Sequence, residues 1–429
     1  MNEKESGKGC RPVLPELLAP AGNYEKLVTA VHYGADAVYL GGRRFSLRAK
    51  AGNFDAETMR EGVRYAHAHG VKVYATVNIL AHNDDLVGLD AYLGQLGAIG
   101  VDALIIADPG ILVRARTLVP RLPVHLSTQA NVTNRLAAAF WLGQGVARLN
   151  LARELSLGEI RAIRAAVAGE LEVFVHGALC ISYSGRCMLS NYMTGRDANR
   201  GHCAHPCRYS YALVEEKRPG QYFPVEEDGR GTYIFNAKDL CLLEALPQLA
   251  AVGVDSLKIE GRMKSIFYVG GTVRVYRAAL DFLDALPAAA WRDPEAIRLP
   301  AALLEELLKT GTRGTTDNFL RQRPGADEML YATPRATQPS EPVAVIRRAG
   351  DRPLVEVRNT LTSGETVEYM GRGIEVRPLR IVAMHNERCE PLSRANPGER
   401  IVLTTDPPLA QGEVNGILRR TTAASSLGG

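Results

Sequence analysis

Along the first 280 residues, short apolar runs alternate with stretches in which apolar positions recur at helical spacing. Eight runs read as strands, near 15–19, 37–41, 73–78, 103–107, 124–128, 148–152, 171–176 and 256–260, and most gaps between the first seven fit one helix each. A junction pattern recurs: Gly34-Ala-Asp-Ala-Val-Tyr-Leu-Gly, Gly100-Val-Asp-Ala-Leu-Ile-Ile-Ala, Gly145-Val-Ala-Arg-Leu-Asn-Leu-Ala and Gly253-Val-Asp-Ser-Leu-Lys-Ile-Glu. Glycine tolerates the left-handed conformation that ends a helix, the next residues turn the chain, and the apolar run enters a buried parallel strand. Eight such units predict a closed (β/α)8 TIM-like barrel. An open Rossmann-type sheet is the alternative, but no Gly-x-Gly-x-x-Gly follows any of these strands.

The spacing breaks once, between strands seven and eight, where about 80 residues replace the usual crossover. An insertion after strand seven lies at the C-terminal mouth of a barrel, where barrel enzymes keep their active sites. The barrel domain is expected over 14–330, with a Cys-rich segment at 177–241. After it, TPRATQPSEP reads as a linker. The runs Val343–Arg348, Leu354–Asn359 and Thr366–Met370 then alternate apolar and polar residues, as in a small antiparallel β-barrel over 341–421. That domain suits RNA binding or packing equally. Residues 1–13 are expected to be flexible and 422–429 disordered.

Composition is that of an ordinary globular chain: 429 residues, 46% hydrophobic, 23% charged, formal charge +4. So small a net charge does not by itself indicate nucleic-acid binding. The polar N-terminus lacks the apolar core of a signal peptide, and no apolar run approaches the roughly 18 residues needed to span a bilayer, so the expected location is the cytoplasm.

Cysteine usage narrows the chemistry. Five of the seven cysteines, Cys180, Cys187, Cys203, Cys207 and Cys241, fall in the insertion. Thiols clustered in a chain without an export signal point to metal or redox chemistry rather than structural disulfides. Their spacing is not the paired C-x-x-C of zinc ribbons, and four thiolates from one irregular, Gly-rich loop suit a 4Fe-4S cluster. Zinc assisted by His202 or His205, or unpaired core thiols, are the alternatives. Cys180, Cys187, Cys203 and Cys207 share one loop and are the first choice. Cys241, in the helix-like KDLCLLEALPQL, is a buried core thiol or a reserve ligand.

A second constellation is polar. Glu16, Asn78, Asp108, Gln129, Glu154, His176, Lys258, Glu260 and Arg262 are expected at or just past C-terminal strand ends, facing the mouth. Glu260, Arg262 and His176 are the candidate catalytic residues, and Lys258 a candidate substrate contact. In the loop Phe45-Ser-Leu-Arg-Ala-Lys-Ala-Gly-Asn-Phe54, Arg48 and Asn53 are candidates for holding an anionic substrate or a nucleic-acid backbone. Arg186, Arg196, Arg200 and Arg208 surround the cysteines with Asp197 as the nearby acid, either as a basic lip for RNA or to neutralise an anionic cluster. H-E-x-x-H, G-x-S-x-G and P-loop motifs are absent.

ELLAPAGNYEKLVTAVHYGADAVYLGG, FSLRAKAGNF, VHGALCISYSGRCMLSNYMTGRDANRGHCAHPCR and DSLKIEGRMKS together resemble the collagenase-like peptidase family U32, over roughly residues 14–280. VEVRNTLTSGETVEYM resembles the extra β domain of a tRNA-hydroxylating branch of that family. The resemblance implies oxygen-independent hydroxylation of the tRNA wobble uridine to 5-hydroxyuridine, dependent on an iron-sulfur cluster and on prephenate as co-substrate. Cys180, Cys187, Cys203 and Cys207 are the implied ligands, and branches differ in the fourth. Other branches imply hydroxylation of another RNA or of a quinone precursor. The family name implies a collagenase-like peptidase, and heterodimeric relatives imply a homo-oligomer or a paralogous partner. The expected partner is tRNA, with neither membrane nor DNA involved.

Overall fold

The computed structural model describes residues 11–47, 52–180, 182–183, 186–208, 238–311, 314–322, 338–409 and 412–422, together with four two-residue strands between 213 and 232. The flexible segment expected at 1–13 lies outside them up to residue 10, as does the tail expected to be disordered from 423 onward.

The first domain is a closed barrel of eight parallel strands. They are β1 (Glu16–Pro20), β2 (Ala37–Gly41), β3 (Lys72–Val77), β4 (Ala103–Ile106), β5 (Val124–Leu126), β6 (Arg148–Asn150), β7 (Glu170–Gly177) and, after a short β8 (Asp239–Cys241), β9 (Ser256–Ile259). Each barrel strand pairs with the next, and β9 closes the circle by pairing with both β7 and β1. The helices outside include α1 (Tyr24–His32), α2 (Ala56–Ala68), α3 (Leu89–Ile99), α4 (Pro109–Leu118), α5 (Arg135–Gly143) and α6 (Leu157–Ala166), then α7 (Leu189–Thr194) in the insertion, α8 (Leu246–Val252), α9 (Ile266–Ala285) and α10 (Ala301–Leu308).

The repeated junction has a physical role in this closure. Gly34, Gly100, Gly145 and Gly253 all sit at φ between +80° and +96°, where a side chain would be strained. In the three copies that carry Asp, the residue two positions on brackets the preceding strand. Asp36, Asp102 and Asp255 each donate their N–H to the carbonyl of Leu17, Val73 or Leu171, and their carboxylates accept from the same residue's N–H at 2.7–2.8 Å. Ala147 of the remaining copy makes only the backbone bond, to Val124. The motif therefore fixes strand order and register at once.

Strand residues alternate between two environments. Leu17, Val38, Leu40, Val73, Ala75, Leu104 and Leu149 join the helices in one large core. Leu18, Ala37, Tyr39, Tyr74, Ala103 and Ile105 form a separate cluster inside the barrel. Beside it, the lumen is plugged with charge. Arg148 contacts Glu16 at 2.6 Å, Glu170 at 2.7 Å and Glu172 at 3.4 Å, while Lys258 donates to Glu172 at 2.7 Å. Buried charges persist only when paired in this way.

The second domain is a closed barrel of six antiparallel strands: β11 (Ser340–Arg348), β12 (Leu354–Val357), β13 (Thr366–Met370), β14 (Val376–Asn386), β15 (Arg400–Asp406) and β16 (Ile417–Thr421), where β10 (Thr315–Thr316) is a two-residue strand beside β8. Closure comes from the pairing of β13 with both β14 and β16. The two domains share packing: Val345, Met370 and Ile417 belong to the large core of the first domain. The Tyr33 hydroxyl donates to the Met370 carbonyl at 2.8 Å and accepts the Ile417 N–H at 3.0 Å. Glu306 of α10 lies between two fully buried arginines, Arg274 at 3.4 Å and Arg419 at 2.9 Å. Among the described residues, no helix is long and apolar enough to cross a membrane.

Candidate active site

The insertion leaves β7 at Gly177 and returns through β8, which runs antiparallel to β7 with Cys241 opposite His176. The helix-like reading of this segment is corrected: Asp239–Cys241 is a strand, and helix begins only afterwards. Gly177, at φ +111°, passes so close to Glu260 that a Cβ would stand 2.5 Å from its carbonyl oxygen.

Arg262 organises the mouth. It is 3% exposed and donates to Ser46 at 2.7 Å, Thr76 at 3.1 Å and Asn53 at 2.6 Å. Gly41 makes room for it, since a Cβ there would lie 2.5–2.7 Å from Ser46 Oγ, Thr76 Oγ1 and the guanidinium. The structure thus joins two sequence candidates, Arg262 and Asn53, and adds two hydroxyl residues: Ser46, which the FSLRAKAGNF loop contains but which was not singled out, and Thr76, which no motif signalled. Arg48 lies outside the described residues. Glu260, mostly buried, is 3.8 Å from Arg153, whose guanidinium covers the Phe174 ring at 3.9 Å. Burial raises the Glu154 carboxyl above its usual range.

Three expected mouth residues lie elsewhere. Glu16 opens β1 rather than ending it, and Lys258 lies within β9, so both belong to the ion network of the lumen. His176 follows a register shift between Lys258 and Ile259 on the paired strand, the kind of irregularity that re-aims side chains. Its ring packs against Tyr268 and Tyr276 of α9 at 5.9 and 5.6 Å. Burial lowers its pKa to about 4, so it is a neutral imidazole near pH 7.

The cysteine segment lies against the mouth. Arg200 pairs with Asp85 at 2.6 Å and the Leu80 N–H donates to the Asn199 carbonyl at 3.2 Å, fixing the segment to the loop after β3. Ser190 pins it internally, donating to the Arg196 carbonyl at 2.6 Å and accepting from Ala204 N–H at 3.0 Å. Asn199 donates to the Cys187 carbonyl at 3.0 Å, and Arg196 to the carbonyls of His202 and Cys203. Cys180 is exposed, Cys187, Cys203 and Cys207 are half-buried, and none of the four is in a disulfide. Among the described residues, no group of three His, Cys, Asp or Glu side chains is placed to hold a metal together. By donor chemistry the segment fits a cluster: four unoxidised thiols on one loop, with the His205 N–H donating to Cys203 Sγ at 3.4 Å, the kind of hydrogen bond that tunes a thiolate ligand. Cys241, half-buried on β8, has its thiol pushed up by burial and contacts Tyr276.

Two recesses flank the contact between this segment and the β3 loop, and Ile79 lines both. One, of about 200 Å3, is polar and bounded by Arg43, Arg44, Asp84, Asp85, Arg200 and His202. The other, of about 180 Å3, is bounded by Asp108, Gln129, Trp141 and Arg186 among others. Asp108 and Gln129 were legible as strand-end residues. Trp141, in the last turn of α5, was not, because helical spacing gives it no distinguishing mark.

Residues 22–330 match Peptidase family U32, and residues 340–419 match the Peptidase family U32 C-terminal domain. The chain is 43% identical to "tRNA hydroxylation protein P1" of Bacillus subtilis (strain 168), an alignment covering 86% of each protein. It is 38% identical to "tRNA hydroxylation protein P" of Escherichia coli (strain K12), over 83% of this chain and 86% of that protein. It is 36% identical to the "23S rRNA 5-hydroxycytidine C2501 synthase" of the same bacterium, over 83% of this chain and 52% of that protein. The alignments take in most of this chain, and the chain belongs to peptidase family U32.

Proposed function

We propose that this protein is an RNA-modifying hydroxylase that converts the wobble uridine of tRNA to 5-hydroxyuridine, using a 4Fe-4S cluster and prephenate as co-substrate. The observation that carries the reading is the segment of four cysteines outside any disulfide, held against the barrel mouth by Arg200–Asp85 and Asn199–Leu80. It is supported by the relatives named as tRNA hydroxylation proteins, and a cytoplasmic location follows from a tRNA substrate. Cys180, Cys187 and Cys203, with Cys207 or Cys241, would hold the cluster, which when bound supplies electron-transfer chemistry.

The chain's own residues do the rest. Arg262, fixed by Ser46, Thr76 and Asn53, holds the loop after β2 in place over the mouth. Glu260 and Arg153 form a mostly buried charged pair at the rim. The plugged lumen closes the site from below, so substrate enters from the side that carries the cysteine segment. A peptidase reading finds little support, because His176, a candidate catalytic residue, is buried and packed against Tyr268 and Tyr276 of α9.

The test is mass spectrometry of nucleosides from total tRNA of a strain lacking the gene, with and without the restored gene. Loss and recovery of 5-hydroxyuridine derivatives is the expected result. Unchanged wobble uridines, with no redundant paralogue present, overturn the tRNA reading.

A further inference from the structure

We propose that the recess between the ends of β4 and β5, helix α5 and the cysteine segment is the pocket that receives the target base, and that it is built for a pyrimidine. The inference rests on the RNA-hydroxylase reading and names the residues that would select the base.

The recess, about 180 Å3, is smaller than the roughly 300–1,000 Å3 of sites for drug-sized ligands, so it suits one ring rather than a whole nucleotide. Its walls are Ile79, Leu80 and Trp141, two aliphatic side chains and one broad aromatic face. Bases removed from a stack are held by stacking on such faces.

Two polar side chains give it an edge to read. Asp108 Oδ1 accepts the Ile111 N–H at 3.0 Å and caps α4. Its second oxygen has no hydrogen bond among the described residues and remains an acceptor. Gln129 Oε1 accepts from Ser127, and from Asn78 Nδ2 at 3.3 Å, so its oxygen is fixed and its amide nitrogen remains a donor. One acceptor beside one donor complements the N3–H and carbonyl of uracil, and equally the amino group and N3 of cytosine; adenine and guanine offer the same pairs on two fused rings, so it is the small recess that favours a pyrimidine. A base in this pocket also lies beside the cluster-bearing loop. Asn199, another lining residue, bonds the Cys187 carbonyl at 3.0 Å. Arg186, the residue before Cys187, is exposed at the rim and makes no ion pair among the described residues, so it can take a flanking phosphate.

The experiment uses full-length protein and anticodon stem-loop RNAs carrying U, C or A at the first anticodon position. Asp108→Asn keeps the capping oxygen but turns the second acceptor into a donor. Gln129→Glu keeps the oxygen bound by Ser127 and Asn78 but turns the donor into an acceptor. Trp141→Leu removes the stacking face, and thermal melting establishes that each variant is folded. Wild-type protein is expected to bind the U or C loop at least tenfold more tightly than the A loop. Each variant should lose roughly tenfold to a hundredfold on the preferred loop, the range for one base-edge contact, with A-loop binding unchanged. Wild type that binds all three loops alike, or folded variants that keep their preference within twofold, overturns the pocket. A deletion strain whose tRNA nucleosides are unchanged overturns the tRNA reading instead. Discrimination by the wild-type protein in that case still upholds the pocket and points to another RNA.

Discussion

Arg262 and Asn53 are joined across the barrel mouth by a 2.6 Å hydrogen bond, although 209 positions separate them in the chain. The same guanidinium holds Ser46 and Thr76, so one side chain ties the last strand-to-helix turn to the loop after β2. Lysine cannot reproduce this fork. Arg262→Lys is expected to fold and to lose at least tenfold in kcat/KM. Gly41→Ala should do the same by crowding that guanidinium. The double variant should lose little more than either single one, which steady-state kinetics on purified protein will read.

Breaking the lumen network has a different signature. Among the described residues, Lys258→Met leaves the fully buried Glu172 with only Arg148, 3.4 Å away, and removing one partner of a buried pair costs roughly 3–5 kcal/mol. Denaturant unfolding should show a loss of that order, and Lys258→Met with Glu172→Leu should recover part of it. An unchanged KM in the surviving enzyme would separate this structural role from the substrate contact expected of Lys258.

Acid should destabilise the protein through two histidines. His176 and His32 are both held by burial at a pKa of about 4, against about 6.5 in the unfolded chain. The unfolded state therefore binds more protons between these values. Stability is fully present above pH 6.5 and falls as pH drops toward 4. Melting temperatures across that window should decline in the wild type and decline less in His176→Phe, where the packing between Tyr268 and Tyr276 is kept.

Cluster ligation separates the two candidates for the fourth position. Cys187→Ser should abolish iron colour and hydroxylation together, measured by absorbance, iron content and nucleoside analysis. Cys207→Ser and Cys241→Ser should then differ, one losing iron and the other keeping it. Full iron retention in Cys187→Ser would remove that residue from the ligand set.

The barrel was legible because its signal is local: eight apolar runs, and a glycine whose positive φ ends a helix in each junction copy. The cysteine segment stood out by composition alone. What escaped was side-chain direction. Lys258 and Glu16 looked like mouth residues because they are polar and near strand ends, yet pleat and register turn both into the lumen, where Glu172 and Arg148 meet them. His176 is turned toward α9 at a register shift that no residue pattern announces. Cys241 read as helix because KDLCLLEALPQL is apolar at helical spacing, and pairing with β7 and β10 makes its start a strand. Arg262 meets Ser46, Thr76 and Asn53 through contacts distant in sequence, which spacing does not encode.

The junction between the domains fixes a distance. Tyr33 bonds to Met370 and Ile417, Glu306 sits between Arg274 and Arg419, and apolar side chains of β11, β13 and β16 complete the first domain's core. Swinging the second barrel would strip the buried Arg419 of the Glu306 carboxylate and open that core to water. The molecule is therefore a caliper rather than a hinge. Whatever touches the outer barrel is presented to the mouth at a set span, and selectivity for a long substrate can come from its length and curvature as well as from the group that reacts.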